Sequence, residues 1–371
     1  MPPSMPRLLL RLVLVLVAVS ASRLTGRAST ASSVVGHMGD GTPIEAYTLT
    51  NAHDLTCKVL TYGGVIWEVD LPDRTGALAD VVLGFDHVED YVKKPQYFGA
   101  LVGRVCNRIA QGTFTLNGTR YTLPLNAGAN HIHGGFKGFS KVVWQARALP
   151  GSGVELSYVS RDGEEGYPGT VHVSCRYVLT DDNALRLEYT ATTDKPTPIN
   201  LTNHSFWNLS GGGSVLGEVL TIRASRYVAT NALLLPSGET PPVAGGPLDF
   251  RAAKPIGKDI ARLTNSPQGY DSNWIVDGPG TLSAPVAELY DPASGRDMVV
   301  YTDQPGVQFY TGNSLSGALI GKKGVAYKAH ESVCLETQHF PDSVNHPAFP
   351  STILSPGETF HSTTVYVFSA R

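Results

Sequence analysis

Three polar stretches, far apart in the chain, hold the residue types that move protons. Glu336 lies in Cys334–Asn345, just after Val333-Cys334, in a run that reads as a strand ending at Pro341. His131-Ile132-His133-Gly134-Gly135 and Thr202-Asn203-His204-Ser205-Phe206-Trp207-Asn208-Leu209 are two further strand-end stretches. A carboxylate in such a run either faces water at a sheet edge or is kept for a purpose, because burying it unpaired is costly. Together the stretches offer one candidate base, Glu336, and two or three candidate acids among His131, His133 and His204. A free Glu titrates near about 4.3 and a free His near about 6.5, so near neutral pH one accepts a proton and the other is readily tuned to donate.

Other chemistries lack their residues. Gly317-Ala318-Leu319-Ile320-Gly321-Lys322-Lys323 is one residue short of a phosphate loop and has no Ser or Thr for magnesium. His330-Glu331 has no second His four residues on, and no Gly-x-Ser-x-Gly elbow occurs. His131 and His133 project to one face of a strand, but a third metal ligand at matching spacing is missing, so no metal and no cofactor is expected. Cys57, Cys106, Cys175 and Cys334 sit singly in apolar runs and read as buried free thiols.

A carboxylate opposite an imidazolium suits ring opening of a pyranose, where the anomeric hydroxyl loses a proton while the ring oxygen gains one. Holding a sugar also takes planar polar groups for hydroxyls and an aromatic face for its C–H side. Asn107, Arg108, Asp271, Gln308, Phe206, Trp207 and Trp274 are of the right types. This logic alone names no reaction.

The elements that must position these residues read as strands throughout. The 371 residues are 42% hydrophobic and only 16% charged, with a formal net charge of −3, so no basic field exists to hold nucleic acid. The 39 Gly and 25 Pro are scattered, as turns between many short strands would be. Thr113–Leu123 is the clearest hairpin, with alternating arms and Asn117-Gly118 at the bend. Strands are expected within Tyr47–Leu71 and over Val81–Phe85, Val154–Ser160, Val171–Leu179, Leu185–Ala191, Met298–Tyr301, Gly306–Tyr310, Ser332–Glu336 and Thr359–Phe368, with Pro236–Phe250 a loop. No linker divides the chain, which points to one large all-β antiparallel sandwich.

Residues 1–28 read as a targeting segment: Arg7 and Arg11 precede or interrupt an apolar run over Leu12–Val19 that ends in Val19-Ser20-Ala21. The expectation is a cleaved secretory signal and an extracellular protein, with a plastid or other organelle the alternative. The apolar run is short for a bilayer, and no stable membrane span is expected after processing. Of the sequons at Asn117, Asn200, Asn203 and Asn208, only Asn117 lies in a turn open to glycan.

The sequence resembles the aldose 1-epimerase (galactose mutarotase) family over nearly all of residues 36–371. The resemblance rests on blocks in the family's order: Gly103–Ala110 with Gly112 and Phe114, Asn130–Gly135 with Gly138-Phe139, Thr202–Leu209, Tyr270-Asp271, Gly306–Thr311, Leu335–Gln338 and Pro341–Asn345. It implies a galactose mutarotase-like supersandwich acting on a free monosaccharide, as a monomer or weak dimer. It also implies Glu336 as base at the C1 hydroxyl, His204 as acid at the ring oxygen, and His133 as an assisting donor. Asn107, Arg108, Asp271 and Gln308 would then bind hydroxyls, with Phe206 at the sugar. Trp207 and Trp274 stand where the family often has smaller aromatics, which is expected to reshape the cleft. Two rival readings stay open: a catalytically silent sugar binder, and an epimerase of hexose phosphates, which would need an Arg/Lys cluster where mainly Arg104 and Arg108 lie near the motifs.

Overall fold

The computed structural model describes Met1 and residues 27–94, 96–278 and 281–371. Nearly all of the targeting segment read at residues 1–28 lies outside the described residues. Alternation of side chains builds the largest sheet. In Val171–Leu179 the residues Val171, Val173, Cys175, Tyr177 and Leu179 are buried, while His172 and Arg176 between them are exposed. That strand is central to a nine-stranded antiparallel sheet. Its order is Gln145–Leu149, Gly153–Ser160, Val171–Leu179, Ala184–Thr193, Phe360–Ala370, Arg296–Thr302, Ala287–Tyr290, Val219–Ile222 and Lys254–Pro255. The C-terminal strand thus inserts between two strands distant in sequence.

A five-stranded meander, Ser29–His37 to Leu78–Asp80, and a four-stranded sheet complete the layers. The smaller sheet runs Arg226–Val228, Asp271–Ile275, Gly306–Tyr310 and Cys334–Gln338, antiparallel at every step. Between them lies one continuous core that includes Leu101, Tyr177, Leu187, Trp207, Trp274, Val300, Phe309 and Tyr366. Burying each such side chain contributes roughly 1.5–3 kcal/mol, so this core outweighs any single polar contact. The all-β reading holds, and all four cysteines are buried and free.

The hairpin forms as Thr113–Leu116 and Thr119–Thr122, with Asn117 at φ 50° and Gly118 at φ 77°, the geometry a two-residue turn demands. Two expectations need correction. Val81–Phe85 is not a laddered strand; it spans two neighbours piecemeal, through Val81 N–H to Val69 O, a Val82–Trp207 bridge and Leu83 N–H to Phe206 O. A short helix, Val88–Lys93, interrupts the strands and buries Val88 and Tyr91. The first strand, Ser29–His37, pairs with Pro43–Thr50.

Asn200, Asn203 and Asn208 are buried, each with its amide donating to backbone carbonyls, whereas Asn117 is exposed. Among the described residues no helix is long and apolar enough to cross a membrane.

Candidate active site

Glu336 enters the site from Cys334–Gln338, a strand whose residues are all buried. Its cross-strand partner is Gln308, whose own partner on the next strand is Asn273. Gln308 Nε2 donates to Asp271 Oδ1 at 2.6 Å. One face of the smaller sheet therefore carries Asp271, Asn273, Gln308 and Glu336 side by side.

His204 comes from Thr202–His204, paired with Ala100–Val102. What brings it to Glu336 is a backbone bridge further along: Trp207 and Val333 exchange both N–H···O bonds at 2.8 Å. Antiparallel strands keep register, so stepping back from Trp207 to His204 matches stepping on from Val333 to Glu336. His204 Nε2 lies 3.6 Å from Glu336 Oε1, and both side chains are under a tenth exposed.

His133 and Asn107 flank a second short ladder, Arg108–Ile109 against His131–Ile132. Both residues take left-handed backbone, at φ 51° and 58°, a conformation costly for non-glycine residues and concentrated at functional sites. Two reciprocal bonds hold them: His133 N–H to Asn107 O at 3.1 Å, and Asn107 N–H to His133 Nδ1 at 3.2 Å. Because Nδ1 accepts, the neutral ring carries its proton on Nε2 and is a donor. Gly134 follows because a Cβ there would stand 1.8 Å from Gly103 O.

Leaving the strand in this way also separates His133 from His131, whose ring bonds Pro124 O at 2.8 Å and the Tyr167 hydroxyl at 2.7 Å. The expected common face is not formed. No group of three or more metal-ligating side chains gathers among the described residues.

Burial governs the electrostatics. It raises the Glu336 carboxyl well above its usual value, as does the neighbouring Asp271, while Arg108 pulls it back. Asp271 is raised by burial and restrained by Arg108 and the Gln308 amide. Burial lowers both His204 and His133, and for His133 the nearby His204 and Arg108 add to the effect. Asn107, Arg108, Asp271, Asn273 and Gln308 line a small cleft together with Thr230 and Leu234.

The aromatic candidates and Arg104 are buried rather than open to a ligand. Phe206 is buried beneath His204, their rings stacked at 4.9 Å, and edge-on to Phe98 at 4.7 Å. Trp207 and Trp274 are fully buried in the core, against Tyr366 and Phe309 respectively, and do not reshape the cleft. Arg104 is also buried, bonded to Pro168 O, Gly169 O and Ser160 Oγ, and so unable to meet a phosphate. Sequence reasoning missed Asn273, although alternation from Asp271 points to it. It also missed Tyr97, whose ring lies 4.6 Å from that of His133 and 5.8 Å from that of His204 and which nothing local marks.

A model of the aldose 1-epimerase family matches residues 45–367. The chain is 45% identical to the galactose mutarotase of Bos taurus over 334 residues, 90% of this chain and 96% of that one. It is 34% identical to the aldose 1-epimerase of Escherichia coli K12 over 340 residues, 90% and 97% of the two chains. Among solved structures, galactose 1-epimerase from Lactobacillus acidophilus superposes with a TM-score of 0.81 at 28% identity, covering 92% of this chain and 99% of that one. The sheets, the buried carboxylate–imidazole pair and this likeness across almost the whole length agree: the chain is an isomerase and belongs to the aldose 1-epimerase family.

Proposed function

We propose that the chain interconverts the α and β anomers of free aldohexoses, galactose and glucose foremost, with Glu336 as general base and His204 as general acid. The observation that carries this reading is the buried pair itself, 3.6 Å apart beside a cleft lined with amides and a guanidinium. The names of the relatives, galactose mutarotase in Bos taurus and galactose 1-epimerase in Lactobacillus acidophilus, favour galactose.

The reaction needs one proton shared by the pair. With the ring closed, Glu336 is ionised and His204 protonated. The C1 hydroxyl gives its proton to Glu336 as the ring oxygen takes one from His204, and the C1–O5 bond breaks to leave the aldehyde. Both groups are then neutral, the state that burial favours. Rotation about C1–C2 presents the other carbonyl face, and the same transfers in reverse close the ring to the opposite anomer. The site's low polarity thus lowers the cost of the open-chain state. His133, a neutral donor through Nε2, supports the ring oxygen or an adjacent hydroxyl. Asn107, Arg108, Asp271 and Gln308 hold the remaining hydroxyls.

Polarimetry on freshly dissolved α-D-galactose and α-D-glucose tests this. Glu336→Gln keeps the shape and removes the base, so the rate above buffer is expected to fall about 10²–10⁴-fold. Wild-type anomer interconversion in that variant would overturn the assignment. Sugar binding without any rate from folded wild-type protein would instead make the chain a silent sugar binder.

A further inference from the structure

An imidazole that acts as an acid is ordinarily held in its plane by a hydrogen bond at its second nitrogen. His204 has none: Nδ1 is buried and without a hydrogen-bond partner among the described residues. On the other side, Nε2 faces Glu336 at 3.6 Å, beyond ordinary hydrogen-bond length. Neither nitrogen fixes the ring.

Two aromatic rings lie near-parallel to it. Phe206 has its centroid 4.9 Å away and its plane within 18°; Tyr97 stands at 5.8 Å and 20°. The settings of the two rings differ. Phe206 is locked in an apolar cluster with Phe98, whereas Tyr97 is half-buried, a few residues beyond the short helix Val88–Lys93. Tyr97 also touches the second imidazole, 4.6 Å from the His133 centroid, and the Lys141 ammonium lies 5.9 Å over its ring while donating to Phe136 O. Offset aromatic contacts of this kind hold a ring with a strength comparable to the hydrogen bond that is missing.

We propose that Tyr97 is a positioning residue for the acid: its ring closes the stack over His204, keeps Nε2 directed at the reacting sugar and Glu336, and keeps water off the imidazole face. The role belongs to the ring and not to the hydroxyl, for which no hydrogen bond is found among the described residues. This inference rests on His204 being the acid, and its test is arranged so that the two fail separately.

The experiment compares Tyr97→Phe, Tyr97→Leu and Tyr97→Met with wild type. It measures kcat and KM for galactose by coupled anomer assay, and the titration of the His204 ring by NMR of histidine-labelled protein, assigned with His204→Asn. Removing the ring is expected to lower kcat about tenfold with KM nearly unchanged, as misplacement of a catalytic group does. It should also shift the His204 ring resonances and move its titration upward toward the free-imidazole value as water reaches the exposed face. Tyr97→Phe should restore all three. Unchanged kcat and titration in both aliphatic variants would overturn the proposal, as would a loss confined to KM or a Phe variant as impaired as Leu. If His204→Asn keeps full activity, the acid assignment has failed; the NMR comparison still decides whether Tyr97 holds the ring. Should one aliphatic variant fail to fold, the other and the Phe variant decide.

Discussion

At the scale of single residues, the site's chemistry depends on charges being costly where they sit. An isolated Glu and an isolated His in water would give a narrow active window between about 4.3 and about 6.5. In this pair burial works in opposite directions on the two groups, holding His204 down at about 4 and Glu336 well above the carboxylate range. Adding a second proton to the pair is therefore difficult until the pH is well below 6.5, and removing the only proton is difficult until it is well above 4.5. The two limbs belong to the pair and not to either residue. The expected kcat/KM profile is a broad plateau that includes pH 5 and pH 7, checked by anomer assays across that range. A narrow bell with limbs near the free values would show that water reaches both groups. Asp271 contributes as well: removing its charge in Asp271→Asn should lower the alkaline limb, since its carboxylate raises Glu336.

Between residue and fold stand the short elements, where neighbours in sequence can have unrelated jobs. Arg104 and Arg108 belong to one motif, yet Arg104 is buried and ties the loop to the ends of two strands and a turn through Ser160, Pro168, Gly169 and Thr197. Arg108, half-buried, lines the cleft. Arg104→Met should cost on the order of 3–5 kcal/mol, because it orphans several buried acceptors, and lower the melting temperature sharply. Arg108→Met should leave melting almost unchanged while raising KM for galactose about tenfold or more, the cost of losing a charged hydrogen bond. Equal effects of the two on melting would refute the division. The same elements show what the sequence made legible. The Asn117-Gly118 hairpin and Val171–Leu179 were readable because turn chemistry and period-two burial are local signals. The destination of the Arg104 guanidinium was not, because its acceptors lie in other strands. Trp207 was misread as a cleft residue although it alternates with Phe206 and so had to face the core. The approach of His204 to Glu336 hangs on the Trp207–Val333 bridge, a pairing no local pattern encodes.

For the whole molecule, the class was legible from scattered glycines and prolines, whereas the order of the sheet was not, since Phe360–Ala370 pairs with strands from distant parts of the chain. One buried group tests how the His204 segment is joined to the large sheet. Glu218 precedes the strand Val219–Ile222 of the large sheet, and its Oε1 accepts the N–H groups of Leu209 at 2.8 Å and Ser210 at 3.3 Å, at the end of the His204 segment. Oε2 is buried with no partner among the described residues. Burial and the nearby Asp291 push this carboxyl up to about 8, against the pull of the two backbone N–H groups. A raised folded value means that the protonated form is the one the fold prefers. Its stabilisation is complete below the unfolded value near 4.5 and is lost as the pH rises through about 8, amounting to a few kcal/mol. Glu218→Gln keeps an acceptor at Oε1 but cannot ionise. Chemical denaturation of both proteins between pH 5 and pH 9 should therefore show the wild type losing stability relative to the variant as the pH rises, most steeply between the unfolded and folded values and levelling off above about 8. A constant difference across that range would mean that Glu218 is ionised throughout, with its charge held by the two N–H groups. In that case the seam between the site segment and the large sheet would be an anion-stabilising turn and not a neutral hydrogen-bonded joint.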